Sequence, residues 1–180
     1  AYMGSISMVG ASMAAVLLYV SPVFVAIFSK IVYKEKINKI KILSLIFCVI
    51  GAFLAVTGGK IEIKELNIGG IIAGIMAAIT YAMLPIFNKN ALKEMDNITM
   101  SAYAFLIAAI IMCFRVNPIH TISKIDNMRV LMYILSIGII PTAISYIVYS
   151  KGILKGVELS IAGVVASIEL ILSVIIGWTL

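Results

Sequence analysis

Residues 159–180 read LSIAGVVASIELILSVIIGWTL, an apolar run with one acidic residue, Glu169, near its middle. A helix of this length, at about 1.5 Å per residue, crosses the roughly 30 Å hydrocarbon core of a bilayer. A carboxylate at the bilayer centre costs about 2.5–3.5 kcal/mol on insertion scales, and chains that keep one usually use it to bind or move something polar. This segment predicts a membrane-spanning helix that carries a functional carboxylate.

The composition extends this prediction to the whole chain. Hydrophobic residues make up 63% of the 180 residues and charged residues 12%, and the mean hydropathy is +1.16. A soluble domain has about 25% charged residues. Apolar stretches of roughly 20 residues recur between short polar loops, which predicts an all-α, polytopic transmembrane helical bundle. A transmembrane barrel would instead show short alternating segments.

Six full spans are predicted: 11–33, 40–58, 68–87, 98–114, 129–150 and 159–180. They are preceded by the end of a further helix over residues 1–8 and by an uncharged turn near Gly10. Pro22 and Pro141 inside spans predict kinks, either for packing or as hinges beside a cavity. Asn97 is the predicted N-cap of the fourth span. Polar loops are predicted over 60–67 and 115–128. The chain lacks an initiator Met and stops inside a hydrophobic run, so it is expected to be a fragment.

The net charge of +6 does not indicate a nucleic-acid partner, because the basic residues cluster in short loops between spans, as positive-inside sorting produces. One side carries nine of them and the other side five: Lys30, Lys34, Lys36, Lys39, Lys41, Lys89, Lys93, Lys151 and Lys155 against Lys60, Lys64, Arg115, Lys124 and Arg129. The loop 34–39 is therefore predicted to be cytoplasmic, and the first and sixth spans run in opposite directions.

These two antiparallel spans resemble each other. Shifting the first by 148 positions aligns four identical pairs, Ser12, Ala14, Val16 and Ile27 with Ser160, Ala162, Val164 and Ile175. The stripes of small and polar residues on the two spans also share a register. Related helices inserted in opposite directions predict an inverted-topology repeat, which is common in secondary transporters.

Seven residues are candidates for substrate binding or coupling: Glu169, Tyr19, Pro22, Tyr81, Thr142, Tyr146 and Ser167. A phenol at membrane depth needs a partner or water. For Glu169 the alternative is a structural hydrogen bond to a neighbouring helix. Gly70 and Gly74 favour close helix packing.

Other polar residues are interpreted as structural or solvated. Glu35, in a lysine-rich loop, and His120 are predicted to be solvated, while Cys48 and Cys113 are predicted to be packing residues. No metal-ligand spacing, disulfide framework or catalytic motif is present in the sequence. No catalytic residue, metal site or cofactor is predicted.

The stretch 12–29, SMAAVLLYVSPVFVAIFS, followed by Lys34-Glu35, resembles the fourth helix of an EamA-type permease of the drug/metabolite transporter superfamily. The residues 51–54 are similar to the end of the fifth helix, 74–82 to the sixth, 138–146 with Thr142 and Tyr146 to the eighth, and 168–178 to the ninth. Leu170 stands where the ninth helix often has proline. The resemblance covers the whole chain, from the end of helix three to helix nine.

This resemblance implies a ten-helix fold made of two inverted five-helix repeats. Residues 1–58 would be the C-terminal part of the first repeat, 59–67 the inter-repeat loop, and 68–180 the second repeat without its last helix. It also implies a multi-pass protein of the cytoplasmic (plasma) membrane, of bacterial origin, that moves small metabolites, amino acids or drugs.

A secondary transporter driven by protons or an exchanged solute is thus the leading prediction, because no nucleotide-binding motif is present. The alternative is a membrane-embedded enzyme or sensor that uses the same polar stripes as an intramembrane pocket. The expected partners are a small-molecule substrate and the lipid bilayer, and a homo-oligomer is left open.

Overall fold

The computed structural model describes residues 1–58, 67–115, 127–169 and Leu172. Every element in these ranges is helical: Tyr2–Leu18 (α1), Ser21–Tyr33 (α2), Lys39–Thr57 (α3), Ile68–Ala91 (α4), Asn97–Arg115 (α5), Met128–Ile137 (α6), Ser145–Leu154 (α7) and Leu159–Ala166 (α8). A π-helical segment, Gly138–Ile144, joins α6 to α7. Nearly all of the two predicted polar loops, including His120, lies outside the described residues.

Among the described residues, four helical segments are long and apolar enough to cross a membrane: Lys39–Thr57, Ile68–Ala91, Asn97–Phe114 and Met128–Leu154. The bent pair α1 and α2 makes a fifth if it is one span. These five correspond to the first five predicted spans, so the prediction of an all-α polytopic bundle is confirmed. The sixth, 159–180, is described only in its first part. The ten-helix inverted repeat and the repeat boundaries stay predictions.

The helix α1 folds back on itself at Gly10. This glycine has φ 81° and ψ 161°, a backbone region that is essentially restricted to glycine. A Cβ placed on Gly74 would lie 2.9 Å from Ser5 Oγ and 3.0 Å from Leu17 Cβ. In one continuous helix, residues 5 and 17 would lie about 18 Å apart. The turn predicted near Gly10 is therefore present, and it separates the short helix before it from the first predicted span.

Both predicted proline kinks coincide with irregular helix. The axes of α1 and α2 differ by 45° across a break at Tyr19 and Val20. Pro22 lies within the first two positions of α2. A backbone N–H at this position has no partner within the helix, so the N–H that proline lacks costs no hydrogen bond. Pro141 lies inside the π-helical segment, a common origin of kinks.

Small residues form much of the buried core, as is usual where membrane helices approach closely. Several alanines are 5% exposed or less: Ala14, Ala26, Ala52, Ala77, Ala78 and Ala82. A Cβ on Gly70 would lie 2.6 Å from Val9 Cγ1, and one on Gly74 would lie 2.5 Å from Leu17 Cδ1. The packing role predicted for these two glycines is confirmed.

The chain forms two compact units, one of Ala1–Phe87 with Val157–Leu180 and the other of Asn88–Gly156. This division by contacts differs from the predicted division into repeats, which concerns sequence relationship. The first unit contains α1 to α3, nearly all of α4, and α8. The second contains α5 to α7.

One capping prediction in the second unit is wrong. Asn97 does not cap α5, because Asp96 accepts the hydrogen bond from the Ile98 N–H at 3.2 Å. The Asn97 side chain, 3% exposed, donates instead to the carbonyl of Ile147 on α7 at 3.0 Å. Asn88 makes a second contact with α7, donating to Ser150 Oγ at 2.9 Å. Asn97 is therefore a link between helices.

Candidate functional site

Three contacts show that α2 and the segment beginning with α8 run antiparallel. Glu35, just after α2, meets the backbone N–H of Leu159 at 3.1 Å. A Cβ on Gly163 would lie 3.5 Å from Pro22 Cβ, at the other end of α2. Tyr19, before α2, donates to Glu169 at 3.0 Å. The order of the contacts reverses along the two chains, as predicted for the first and sixth spans.

The strongest predicted candidate, Glu169, thus has a specific partner. Its Oε1 accepts the hydrogen bond of the Tyr19 hydroxyl across 150 residues of sequence. Tyr19 is the C-cap residue that follows α1, so it lies in the break between α1 and α2. The Glu169 side chain is exposed in this unit, which leaves room for a further group beside the carboxylate.

Two more tyrosines lie within electrostatic range of this pair. Tyr81 on α4 lies close enough to the Glu169 carboxylate for the two groups to interact electrostatically, and its side chain is 56% exposed. Tyr2 lies close enough to the Tyr19 hydroxyl for these two groups to interact electrostatically as well. We call Glu169, Tyr19, Tyr81 and Tyr2 the tyrosine–glutamate cluster. A carboxylate near phenol rings can attract a cation that also meets the negative faces of the rings.

Tyr2 was not among the predicted candidates. Its position depends on the reversal at Gly10, which returns the start of the chain to the level of Tyr19. The glycine itself was a visible turn signal, but a turn does not reveal which side chains it brings together.

Two further candidates, Ser167 and Pro22, lie at helix contacts of the first unit. Ser167 Oγ donates to the carbonyl of Gly163 at 3.2 Å and accepts from Cys48 Sγ on α3 at 3.0 Å. A Cβ placed on Gly163 would lie 3.5 Å from Pro22 Cβ, an ordinary van der Waals distance. Both residues help to hold the segment that carries Glu169 in place.

Thr142 and Tyr146 are described within the second unit. Thr142 Oγ1 donates to the carbonyl of Ile137 at 3.0 Å, inside the π-helical segment. The Tyr146 ring packs edge-on against Phe105, with centroids 5.6 Å apart and ring planes at 62°. These contacts stabilise a local bend and the pairing of α5 with α7.

The prediction that Glu35 is solvated is wrong. The residue is 9% exposed, and its carboxylate accepts from the N–H of Leu159 at 3.1 Å, the N–H of Ser160 at 3.4 Å and Ser160 Oγ at 3.2 Å. The first N–H groups of a helix lack partners within it, and no side-chain cap is supplied by Glu158, which precedes α8. Glu35 therefore serves as the cap of α8 from a distant part of the chain.

An ion pair lies beside this contact. Lys41 Nζ pairs with Glu158 Oε2 and donates to the carbonyl of Lys36 at 2.8 Å. The Lys41 side chain is 12% exposed and that of Glu158 41%. The loop after α2, the start of α3 and the start of α8 thus meet at one end of the first unit, the end predicted to be cytoplasmic. We call Glu35, Ser160, Lys41 and Glu158 the Glu35 cluster.

Comparison with known proteins agrees with the resemblance seen in the motifs. The model of the EamA-like transporter family matches residues 1–57 and 68–180. An uncharacterized transporter of Archaeoglobus fulgidus is 27% identical, with 98% of this chain aligned to 61% of that protein. The uncharacterized transporter YoaV of Bacillus subtilis is 21% identical, over 91% of this chain and 56% of its own length.

A further relative, the uncharacterized transporter YxxF of Bacillus subtilis, is 27% identical over 73% of this chain and 42% of its own length. The chain therefore spans less than two thirds of the length of these relatives. No solved structure matches it significantly.

Proposed function

The chain belongs to the EamA-like transporter family, and from this premise we propose that it is part of a secondary transporter that moves small metabolites, amino acids or drugs across the cytoplasmic membrane. The relatives named as transporters support the function class. The four membrane-length helical segments support a multi-pass protein. Coupling to protons or to an exchanged solute completes the proposal, because the sequence contains no phosphate-binding loop.

The observation that carries this proposal is the hydrogen bond between Tyr19 and Glu169 at the break between α1 and α2. Substrate and ion sites of secondary transporters are typically built where membrane helices are discontinuous. An acidic residue in a membrane segment marks such a pathway by default. Here the broken helix and the acidic residue meet directly, which supports the tyrosine–glutamate cluster as the binding and coupling site.

The cluster suggests how coupling would operate. An ionised Glu169 attracts either a proton or a cationic group of the substrate, but a protonated Glu169 no longer attracts the cationic group. Proton binding and binding of a cation therefore compete at one carboxylate. Competition of this kind would link the release of the cationic substrate on one side of the membrane to the binding of a proton on that side, and the reverse on the other side.

The repeat organisation is part of the proposal, with residues 1–58 as the C-terminal part of the first repeat, 59–67 as the inter-repeat loop and 68–180 as the second repeat without its last helix. The antiparallel pairing of α2 and α8 supports the inverted relation.

The test begins with the full-length protein, because the substrate is unidentified. Metabolites are profiled in cells and medium with and without the protein, and the most strongly redistributed compound becomes the transport probe. Glu169→Gln preserves shape and removes the charge and the exchangeable carboxyl proton. We expect this variant to insert and to express normally while losing most transport of the probe.

A matched control is Glu94→Gln, at an exposed position between α4 and α5, which should transport like the wild type. Tyr19→Phe, which removes the hydroxyl bonded to Glu169, should reduce transport less than Glu169→Gln. Wild-type transport by Glu169→Gln would refute the role of the carboxylate.

A further inference from the structure

We propose that Glu35 is a positioning residue of the transport cycle, and that it closes the cytoplasmic end of the pathway by binding the first turn of α8. The Lys41–Glu158 ion pair reinforces the closed state. This inference rests on the proposed function, since a gate contact has a role only in a protein that alternates between open and closed ends. Neither the family match nor the names of the relatives assigns any role to these residues.

The contact consists of several hydrogen bonds and is shielded from water. Three hydrogen bonds converge on the Glu35 carboxylate from Leu159 and Ser160. The three donor–acceptor distances are 3.1, 3.4 and 3.2 Å, and the positive end of the α8 dipole favours an acidic side chain at this position. The whole residue is 9% exposed, so these donors replace most of the water around its side chain.

The distance in sequence between Glu35 and the helix that it caps distinguishes this contact from ordinary capping. Asn38 caps its own helix by accepting from Lys41 N at 2.9 Å, and Asn127 does the same for Arg129 N at 3.0 Å. Glu35 instead caps a helix that begins 124 residues later. It follows α2, which lies in the predicted first repeat, whereas α8 lies in the second.

That connection between repeats makes the contact a gate. Alternating access moves one repeat against the other around a fixed site. A contact that joins the repeats at one end must break when that end opens. Glu35 is buried while Glu169, at the opposite end of the α2–α8 pairing, is exposed. The described arrangement is thus closed at the predicted cytoplasmic end.

The first experiment measures access from the cytoplasm. Full-length protein without native cysteines carries Ser29→Cys, at a position on α2 that is 0% exposed. Inside-out membrane vesicles are treated with a membrane-impermeant maleimide. We expect Glu35→Ala to label about tenfold faster than the parent, the change that follows when the closed state loses about 1.4 kcal/mol relative to the open one. Glu35→Gln, which keeps one carbonyl acceptor, should show a smaller increase. Glu94→Ala is the control.

The second experiment uses charge reversal at the reinforcing pair. Lys41→Glu places two acidic side chains together and should increase labelling, and Lys41→Glu with Glu158→Lys should restore the parent rate. Lys39→Glu, at an exposed position on the same helix, makes the same charge change two residues away and should have no effect. Restoration by the double reversal cannot come from general misfolding.

Two results would overturn the proposal. If Glu35→Ala and Glu35→Gln lower the melting temperature but leave labelling unchanged, Glu35 is a structural cap. If labelling rises equally with Lys39→Glu and Lys41→Glu, the effect is one of net charge. Labelling requires no substrate, so an open gate in Glu35→Ala together with wild-type transport by Glu169→Gln would retain the gate and reject the coupling site.

Discussion

Gly74 on α4 is the position where one added methyl group should most disturb the first unit. A Cβ there would stand 2.5 Å from Leu17 Cδ1, 2.9 Å from Ser5 Oγ and 3.0 Å from Leu17 Cβ. Ordinary contacts between such atoms are about 3.5–4.0 Å. The atoms Leu17 Cβ and Ser5 Oγ lie near their own backbones, on either side of the reversal at Gly10, so rotation of one flexible side chain does not relieve the overlap.

The expected size of the effect follows from these distances. Adding a methyl group to a well-packed core costs typically 1–3 kcal/mol, and replacing a helical glycine by alanine recovers about 0.5–1 kcal/mol of backbone entropy. Gly74→Ala should therefore lower the free energy of unfolding by up to roughly 2.5 kcal/mol. Gly51→Ala, on α3 with nothing within 4 Å of the added Cβ, should stabilise slightly.

The assay is thermal unfolding of the purified full-length variants in one detergent, with Gly163→Ala as an intermediate case because its nearest contact would be 3.5 Å. The expected order of melting temperatures is Gly51→Ala highest, Gly163→Ala next and Gly74→Ala lowest. A Gly74→Ala protein as stable as Gly51→Ala would refute the close approach of α4 to both arms of α1.

The remaining predictions concern the turn, the orientation and the second unit. Gly10→Ala should lower the free energy of unfolding by about 1–3 kcal/mol, because alanine is strained at this positive φ. Gly4→Ala, with equally open space around the added Cβ, should leave it unchanged. Melting temperatures of the two variants test this difference. Single cysteines at the exposed positions Asn38 and Asn67 should label in intact cells only at 67, and labelling at 38 would reverse the orientation. Asn97→Ala should cost about 1 kcal/mol by deleting its bond to the Ile147 carbonyl, and an unchanged melting temperature would contradict the link between α5 and α7.

Features that depend on local chemistry were predictable from the sequence. The spans follow from apolar length, and irregular helix near Pro22 follows from the missing N–H of proline. The packing role of Gly70 and Gly74 follows from spacing on one helix face. The pairing of Tyr19 with Glu169 was foreseen only as two separate candidates, because the break between α1 and α2 brings them together and hydropathy does not report such a break.

Features that depend on distant contacts were missed. Asp96 and Asn97 are of residue types that cap helices about equally well, and only Asn97 was predicted as the cap. The carbonyl of Ile147 decides the matter, because it offers Asn97 a partner on another helix. Tyr2 was missed for the same kind of reason, since only the conformation of Gly10 brings it near Tyr19.

Glu35 and Glu169 show the limit of judging a carboxylate by its neighbours in sequence. An apolar run made Glu169 conspicuous, and nearby lysines made Glu35 ordinary. Burial depends instead on which groups replace water, and the first N–H groups of a helix can solvate a carboxylate well enough to bury it. The two carboxylates bind opposite ends of one helix pairing, Glu35 at Leu159 and Glu169 at Tyr19. A motion that separates α2 from α8 at one end therefore need not disturb the other, which is the property that alternating access requires.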